Sequence, residues 1–256
     1  MTRRAVIVGM GEVGRRVADG ARASGVEVIE VRRGQSLSAA LSTGDEAVVL
    51  AMREDDFEPG FREAIALRPE GVVVLQNGFI DEVLEGHEVT RGVLWFTAKG
   101  DFFANARETL LAGPHANALA RWLEAVSVPV RVESPDAVAR EGREKAAWSC
   151  LVGPGAFAHE RTFAELVASD ERTARRIVAE ACEVAQRALD RETRSDRAWS
   201  MVTDTVGPLG WMRGGPKGLA WRSGKVVRWA EDVLSDGYAA VENAEVVRRV
   251  LSRAPG

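Results

Sequence analysis

The chain has 256 residues, 46% of them hydrophobic, and a formal net charge of -4, enough to bury a core as one large or two modest domains without staples. The acidic balance removes the electrostatic footprint of a nucleic-acid binder, and no apolar run approaches the roughly 20 residues of a membrane span. Cys150 and Cys182 lack the spacing of a disulfide framework or a thiolate metal site, and His87, His115 and His159 are scattered, so no metal is expected and a reducing, cytoplasmic compartment fits.

In chain order, Met1-Thr2-Arg3-Arg4 leads into a short apolar run with neither the h-region nor the cleavage site of a signal peptide. Ala5–Val8, Val26–Val31, Ala47–Ala51 and Val72–Leu75 read as strands separated by stretches of helical period, the βαβ rhythm of a parallel sheet. After Asn77-Gly78 the runs Val89–Thr97 and Thr109–Leu111 predict antiparallel additions. A helix around Asn117–Ala125 and a strand Val128–Val132 follow. Ser134-Pro135-Asp136 then supplies an N-cap, a proline at the first helical position and an acid at the positive end of the dipole. A domain boundary is expected there, dividing the chain into residues 1–133 and 134–256.

Beyond it the strand signal fades. Ala174, Ile177, Val178, Ala181, Ala185 and Ala188 recur at helical spacing between Ser169 and Arg191, with charges opposite. Gly207-Pro208, Gly210, Gly214-Gly215-Pro216 and Gly218 break the next region, and no regular structure is predicted over 205–225. The fold class is therefore α/β: an N-terminal dinucleotide-binding domain of Rossmann type and a helical C-terminal one.

Val6-Ile7-Val8-Gly9-Met10-Gly11-Glu12-Val13-Gly14 places glycines at GxGxxG spacing between a strand and a helix. Gly9 suits the tight turn, Gly11 the approach of a pyrophosphate, and Gly14 close helix–strand packing. The anion would rest on the backbone from Met10 to Val13, at the positive end of the helix. Where NAD binders carry an acid for the ribose, this chain reads Arg32-Arg33-Gly34. A guanidinium there pairs with a 2′-phosphate, which favours NADPH; Glu30 is an out-of-phase alternative for the ribose.

Two further stretches carry candidate chemistry. Val72–Leu75 ends in Gln76-Asn77-Gly78, at the end of a parallel strand where ligands bind. In Glu144-Lys145-Ala146-Ala147-Trp148-Ser149 the lysine and serine stand one helical turn apart. Taken separately, an ordinary Asn-Gly turn and a solvated lysine explain them equally well.

In order along the chain, Gly9-x-Gly11-x-x-Gly14, Val31-Arg32-Arg33-Gly34, Val49-Leu50-Ala51-Met52-Arg53, Leu75-Gln76-Asn77-Gly78, Leu110-Leu111-Ala112-Gly113, the Lys145 helix ending in Val152-Gly153-Pro154, and Ser200-Met201-x-x-Asp204 resemble the ketopantoate reductase (2-dehydropantoate 2-reductase) family. The resemblance covers most of the chain and marks it as a divergent member. It implies a Rossmann domain followed by a helical substrate and dimerisation domain, with the substrate in the cleft between them. It also implies NADPH as cofactor, a small 2-keto acid or related carbonyl compound as substrate, a monomer or homodimer, and a place in pantothenate biosynthesis.

By the same resemblance Lys145 falls on the catalytic lysine that protonates the carbonyl oxygen, and Asn77 on the asparagine at substrate and nicotinamide. Ser200 falls on a serine holding the keto acid, with Ser149 and Asp204 as further substrate contacts. Arg33, with Arg32 beside it, falls near the 2′-phosphate, and Arg53 on a basic cofactor contact where the family has lysine. The chain also departs from the pattern. Two asparagines that usually follow the lysine fall on Ser149 and Gly153, and the glutamate expected about three turns after Ser200 falls near Met212, where no acid stands. Ketopantoate itself is therefore not carried over as substrate. Two other readings fit the residues: an NADPH-binding or sensing protein without turnover, and an imine- or opine-type dehydrogenase.

Overall fold

The computed structural model describes residues 4–42, 46–99, 102–232 and 239–253. The chain divides into two compact units, Met1–Gln76 with Val83–Ala139, and Asn77–Glu82 with Arg140–Gly256.

In the first unit, strands and helices alternate as β1 (Arg4–Val8), α1 (Glu12–Ala23), β2 (Glu27–Val31), α2 (Leu37–Ala40), β3 (Ala47–Leu50), α3 (Phe57–Leu67) and β4 (Val72–Val74). The turn α4 (Asp81–Leu84) precedes β5 (Thr90–Val93), β6 (Phe96–Lys99), β7 (Phe102–Asn105), β8 (Thr109–Ala112), α5 (Ala116–Glu124) and β9 (Val130–Val132). One seven-stranded sheet runs in the order β2-β1-β3-β4-β5-β8-β9. The β-branched runs of β1, β3 and β4 are buried on both faces, as parallel central strands require. Ala5, Ile7, Val17, Ala21, Leu119, Trp122 and Leu123 form the core between the sheet and the pair α1 and α5.

One expectation is corrected. The run Val89–Thr97 is not a single antiparallel strand: Thr90–Val93 pairs in parallel with β4 and only then antiparallel with β8. The chain leaves the sheet at Trp95, whose N–H donates to the Thr109 hydroxyl at 3.1 Å. Phe96–Lys99 instead forms a hairpin with β7. Phe96 and Phe103 meet there at 5.6 Å, and the Arg16 guanidinium covers Phe103 at 3.8 Å, so aromatic burial outside the sheet wins over continued pairing.

From Pro135 the chain is helical: α6 (Pro135–Cys150), α7 (Ala156–Ala158), α8 (Phe163–Ser169), α9 (Glu171–Leu189), α10 (Ser195–Leu209), α11 (Ser223–Asp232) and α12 (Val241–Arg253). The Ser134 hydroxyl caps α6 by accepting from Ala137 N at 3.3 Å. Helix α6 passes into a π-helical stretch, Leu151–Gly155, which contains Pro154; a proline there has no N–H for the regular helical bond and widens the turn. Helix α9 is the centre of the second unit, with Ala174, Ile177, Val178, Ala181, Val184 and Ala185 buried. Asp170 caps it by accepting from Thr173 N at 3.2 Å, and the helix begins at Glu171, just inside the predicted segment from Ser169 to Arg191.

The stretch with no predicted structure is ordered by its neighbours. Helix α10 continues through Pro208. Met212 and Gly210 carbonyls then accept from Phe163 N and Ala164 N at 2.7 and 2.9 Å, and Gly215 N donates to Gly153 O at 3.2 Å. A 3-10 turn, Leu219–Trp221, leads into α11. No helix among the described residues is long and apolar enough to cross a membrane.

Candidate functional site

In the first unit the carboxyl ends of β1, β2 and β3 stand side by side. Gly9 N donates to Val31 O at 3.0 Å and Ala51 N to Val8 O at 2.8 Å, which holds the turn after β1 between its two neighbours. Gly9 has φ +95, and a Cβ there would lie 2.7 Å from Met52 N. A Cβ on Gly14 would collide with the Gly9 carbonyl oxygen, so this glycine lets α1 start tight against the turn. Gly11 differs from both. No atom lies within 4 Å of the place its Cβ would take, so packing within the chain does not require a glycine, whereas close approach of a ligand to the backbone does.

Gly11 is the N-cap of α1 and offers no side-chain cap, so the first N–H groups of the helix are available to an anion. Met10 and Val13 pack their side chains against the core. Glu12 pairs with Arg15 at 2.9 Å, a neutralisation that reduces its repulsion of a phosphate.

The arginines after β2 are exposed and engaged with acids. Arg33 reaches Asp56 at 2.6 Å, and Arg32 reaches Glu30 at 3.0 Å while its backbone N–H donates to the Gln35 side chain. Glu30 also accepts from Arg22 at 2.7 Å. The Arg22 and Arg32 hydrogen bonds hold its carboxyl below the usual range. Arg53 follows β3, is exposed, and forms no ion pair among the described residues.

In the second unit, α6 is buried without interruption from Glu141 to Cys150 despite carrying four charged side chains at Glu141, Arg143, Glu144 and Lys145. Each has a partner direction. Arg143 donates to Asp81 at 3.0 Å and to Thr193 and the Glu192 carbonyl. Glu144 accepts from Arg197 Nε at 2.9 Å; burial raises its carboxyl pKa against the opposing pull of Arg197. Lys145, 7% exposed, donates from Nζ to Asn77 Oδ1 at 2.6 Å. Two residues singled out 68 positions apart in sequence thus meet.

The segment bearing Asn77 is clasped onto α11. Glu82 takes Lys225 at 2.6 Å and the Trp229 indole N–H at 2.9 Å, and Lys225 sits 5.2 and 4.8 Å from the Trp221 and Trp229 rings. A Cβ on Gly78 would lie 2.8 Å from the Trp221 carbonyl oxygen, which accepts from Phe79 N at 3.0 Å. The sequence reading missed Glu82 and Lys225, which lie far apart in the chain and carry no motif.

The expected substrate residues fare differently. Ser149 is buried one turn after Lys145, its hydroxyl donating to Ala146 O at 2.8 Å. Ser200 and Asp204 lie on the exposed side of α10, while Thr205 on its buried side accepts from the Trp148 indole at 2.9 Å. Among the described residues no group of three or more His, Cys, Asp or Glu side chains could hold a metal.

No known protein-family model matches the chain, and no curated protein sequence matches it. Solved structures do. A D-mandelate dehydrogenase in a ternary structure with NADH and anilino(oxo)acetate superposes at TM-score 0.74, with 15% identity over 97% of this chain and 99% of that one. A PanE/ApbA family ketopantoate reductase from Ralstonia eutropha gives TM-score 0.73 and 19% identity over 97% and 99%. A dimeric ketopantoate reductase from Staphylococcus aureus gives TM-score 0.69 and 14% identity over 98% and 100%. The chain has the fold of these proteins, a Rossmann-type domain joined to a helical one.

Proposed function

We propose that the protein is an NADPH-dependent reductase of a 2-keto acid or related carbonyl compound, a divergent relative of the ketopantoate reductases, with residues 1–133 binding the cofactor and 134–256 the substrate. The observation that carries this reading is the buried Lys145–Asn77 pair at 2.6 Å, on a segment that follows Gln76 directly in a chain whose fold is that of nicotinamide-dependent reductases. Gly9, Gly11 and Gly14 fit the dinucleotide: two glycines are demanded by the turn itself and the third is bare toward open space. The backbone of Met10, Glu12 and Val13 would hold the pyrophosphate, and Arg32, Arg33 and Arg53 the 2′-phosphate. Bound NADPH supplies the hydride and is oxidised. Lys145 supplies the proton: as the carbonyl carbon accepts hydride, the C=O π pair moves to oxygen, and the ammonium stabilises that charge and transfers a proton to it, giving the alcohol. Asn77 orients Lys145 by accepting one of its three N–H bonds. Ser149, Ser200 and Asp204 are proposed as contacts to the remainder of the substrate, and a homodimer as the assembly.

The test is NADPH consumption by the purified protein over 2-keto acids of graded bulk, with and without amines. Amine-independent oxidation of NADPH by at least one keto acid is expected. Amine-dependent oxidation alone would establish an imine-forming dehydrogenase instead, and tight NADPH binding with no oxidation a cofactor-binding or sensing protein.

A further inference from the structure

Between Val74 and Asp81 the backbone forms neither strand nor helix, so no ladder or helical turn fixes the Asn77 amide that accepts from Lys145. A lysine is a point charge on a flexible four-carbon stem, and misplacing a reacting group by about 1 Å can lower a rate ~10²-fold. The Lys145–Asn77 contact at 2.6 Å therefore depends on what holds the segment Asn77–Glu82 from outside.

Helix α6 grips that segment twice. Lys145 meets its head at Asn77, and Arg143, two residues earlier on the helix, meets Asp81 near its tail. Arg143 is itself fixed: Nη1 donates to Asp81 Oδ1 at 3.0 Å, Nε to the Thr193 hydroxyl at 3.3 Å and Nη2 to the Glu192 carbonyl at 3.0 Å. A planar guanidinium engaged along three directions acts as a rigid fork, which an ammonium cannot imitate. Between the grips Phe79 is fully buried, its ring 5.3 Å from that of Trp229. Glu82 is paired in turn with Lys225 on α11, so adjacent acids face cations on different helices. The two pairs are unequal. The Arg143 and Asp81 side chains are 7% and 15% exposed, whereas Glu82 is 46% exposed, and solvent screens the outer pair far more than the inner one.

We propose that Arg143 is a positioning residue: its bridge to Asp81 holds Asn77 on the Lys145 ammonium and so aligns the proton donor for reduction. Arg143 acts through Asp81 and Asn77 rather than on the substrate. The inference rests on the reductase reading above, and it gives the buried charge of Arg143 a task beyond the packing of α6.

The experiment is a double-mutant cycle on the full chain with wild type, Asn77→Ala, Asp81→Ala and the double variant, using a keto acid that wild type reduces. Each single change is expected to lower kcat about tenfold with KM within about three-fold. The double variant should be no more than about two-fold slower than Asn77→Ala, because both changes release the same contact. Asp81→Asn, which keeps an acceptor oxygen, should restore part of the loss, and Arg143→Lys should behave like Asp81→Ala. If Asp81→Ala does not fold, Asp81→Asn takes its place in the cycle. Losses that multiply in the double variant, or KM and kcat worsening together, would assign the bridge to stability alone and overturn the proposal. A second readout needs no turnover. The chain has four asparagines, so selective labelling resolves the side-chain amide of Asn77 by nuclear magnetic resonance. Asp81→Ala should move that signal in wild type and leave it in place once Lys145→Met has removed the ammonium. If wild type reduces no carbonyl compound, the reductase reading falls while this pattern still upholds the bridge as what seats Asn77 on Lys145. An Asn77 signal indifferent to Asp81→Ala, or shifted equally with and without Lys145, sinks it.

Discussion

Arg33→Ala is expected to lower the discrimination between NADPH and NADH. The Arg33 guanidinium is 81% exposed and held by an Asp56 carboxylate that is itself 49% exposed, at 2.6 Å. A hydrogen bond to a charged partner contributes about 1.5–3 kcal/mol, and solvent screening at so exposed a site keeps a 2′-phosphate contact near ~1.5 kcal/mol, roughly tenfold in Kd. Opening an exposed pair costs at most about 1 kcal/mol, so Asp56 subtracts from the gain without cancelling it. Arg32, tied to Glu30 at 3.0 Å, adds a second contact of the same kind. Wild type should therefore prefer NADPH by about 5- to 40-fold, Arg33→Ala should lower that ratio about two- to six-fold, and Asp56→Asn should raise it about two- to five-fold. Calorimetric titration with each cofactor, at low and high salt, measures the ratio. A ratio unchanged by Arg33→Ala, or NADPH and NADH weakened equally, would refute the placement of the 2′-phosphate.

The two kinds of glycine in the turn predict opposite phenotypes. Gly14→Ala drives a Cβ into the Gly9 carbonyl and should lower the melting temperature as well as cofactor affinity, whereas Gly11→Ala, with nothing within 4 Å, should leave melting within a degree or two and weaken NADPH alone. Equal destabilisation in calorimetry would show that Gly11 serves packing. Glu144 retains its proton more readily folded than unfolded because burial raises its pKa, so its ionisation opposes folding: its contribution is lost as pH rises from the ordinary carboxylate range through the raised value. Melting temperature against pH should fall more steeply there in wild type than in Glu144→Gln; parallel curves would refute the shift. Burial pushes the Cys150 thiol up to about 12 and raises that of Cys182 as well. Neither should be alkylated by iodoacetamide at neutral pH before unfolding, and fast labelling of native protein would show that one is accessible.

Much of this molecule is legible in local pattern. β-branched runs mark β1, β3 and β4 because burial on both faces leaves no other composition, and Ser134-Pro135 starts α6 because capping is a local event. Val89–Thr97 misled because pairing direction is decided by neighbours far away in sequence, here β4 on one side and β8 on the other. The stretch 205–225 lacked a signal for a similar reason: beside short local turns, its backbone is tied to Phe163, Ala164 and Gly153, far away in sequence. Lys145 and Asn77 were identified by order along the chain, but each looked ordinary alone, and only the fold brings the ammonium to the amide. Asn77–Glu82 reads as the end of a Rossmann strand yet packs with the helical unit, through a Glu82 clasp whose members no spacing rule connects.

Turnover of Lys145→Ala, set beside its NADPH affinity, probes the proposed chemistry where it is most exposed to failure. Loss of a positioned proton donor should lower kcat by ~10²-fold or more, while the dissociation constant for NADPH should stay within about three-fold, since the phosphate contacts proposed for it belong to other residues. A variant that reduces the same keto acid at nearly the wild-type rate would mean that the proton comes from elsewhere.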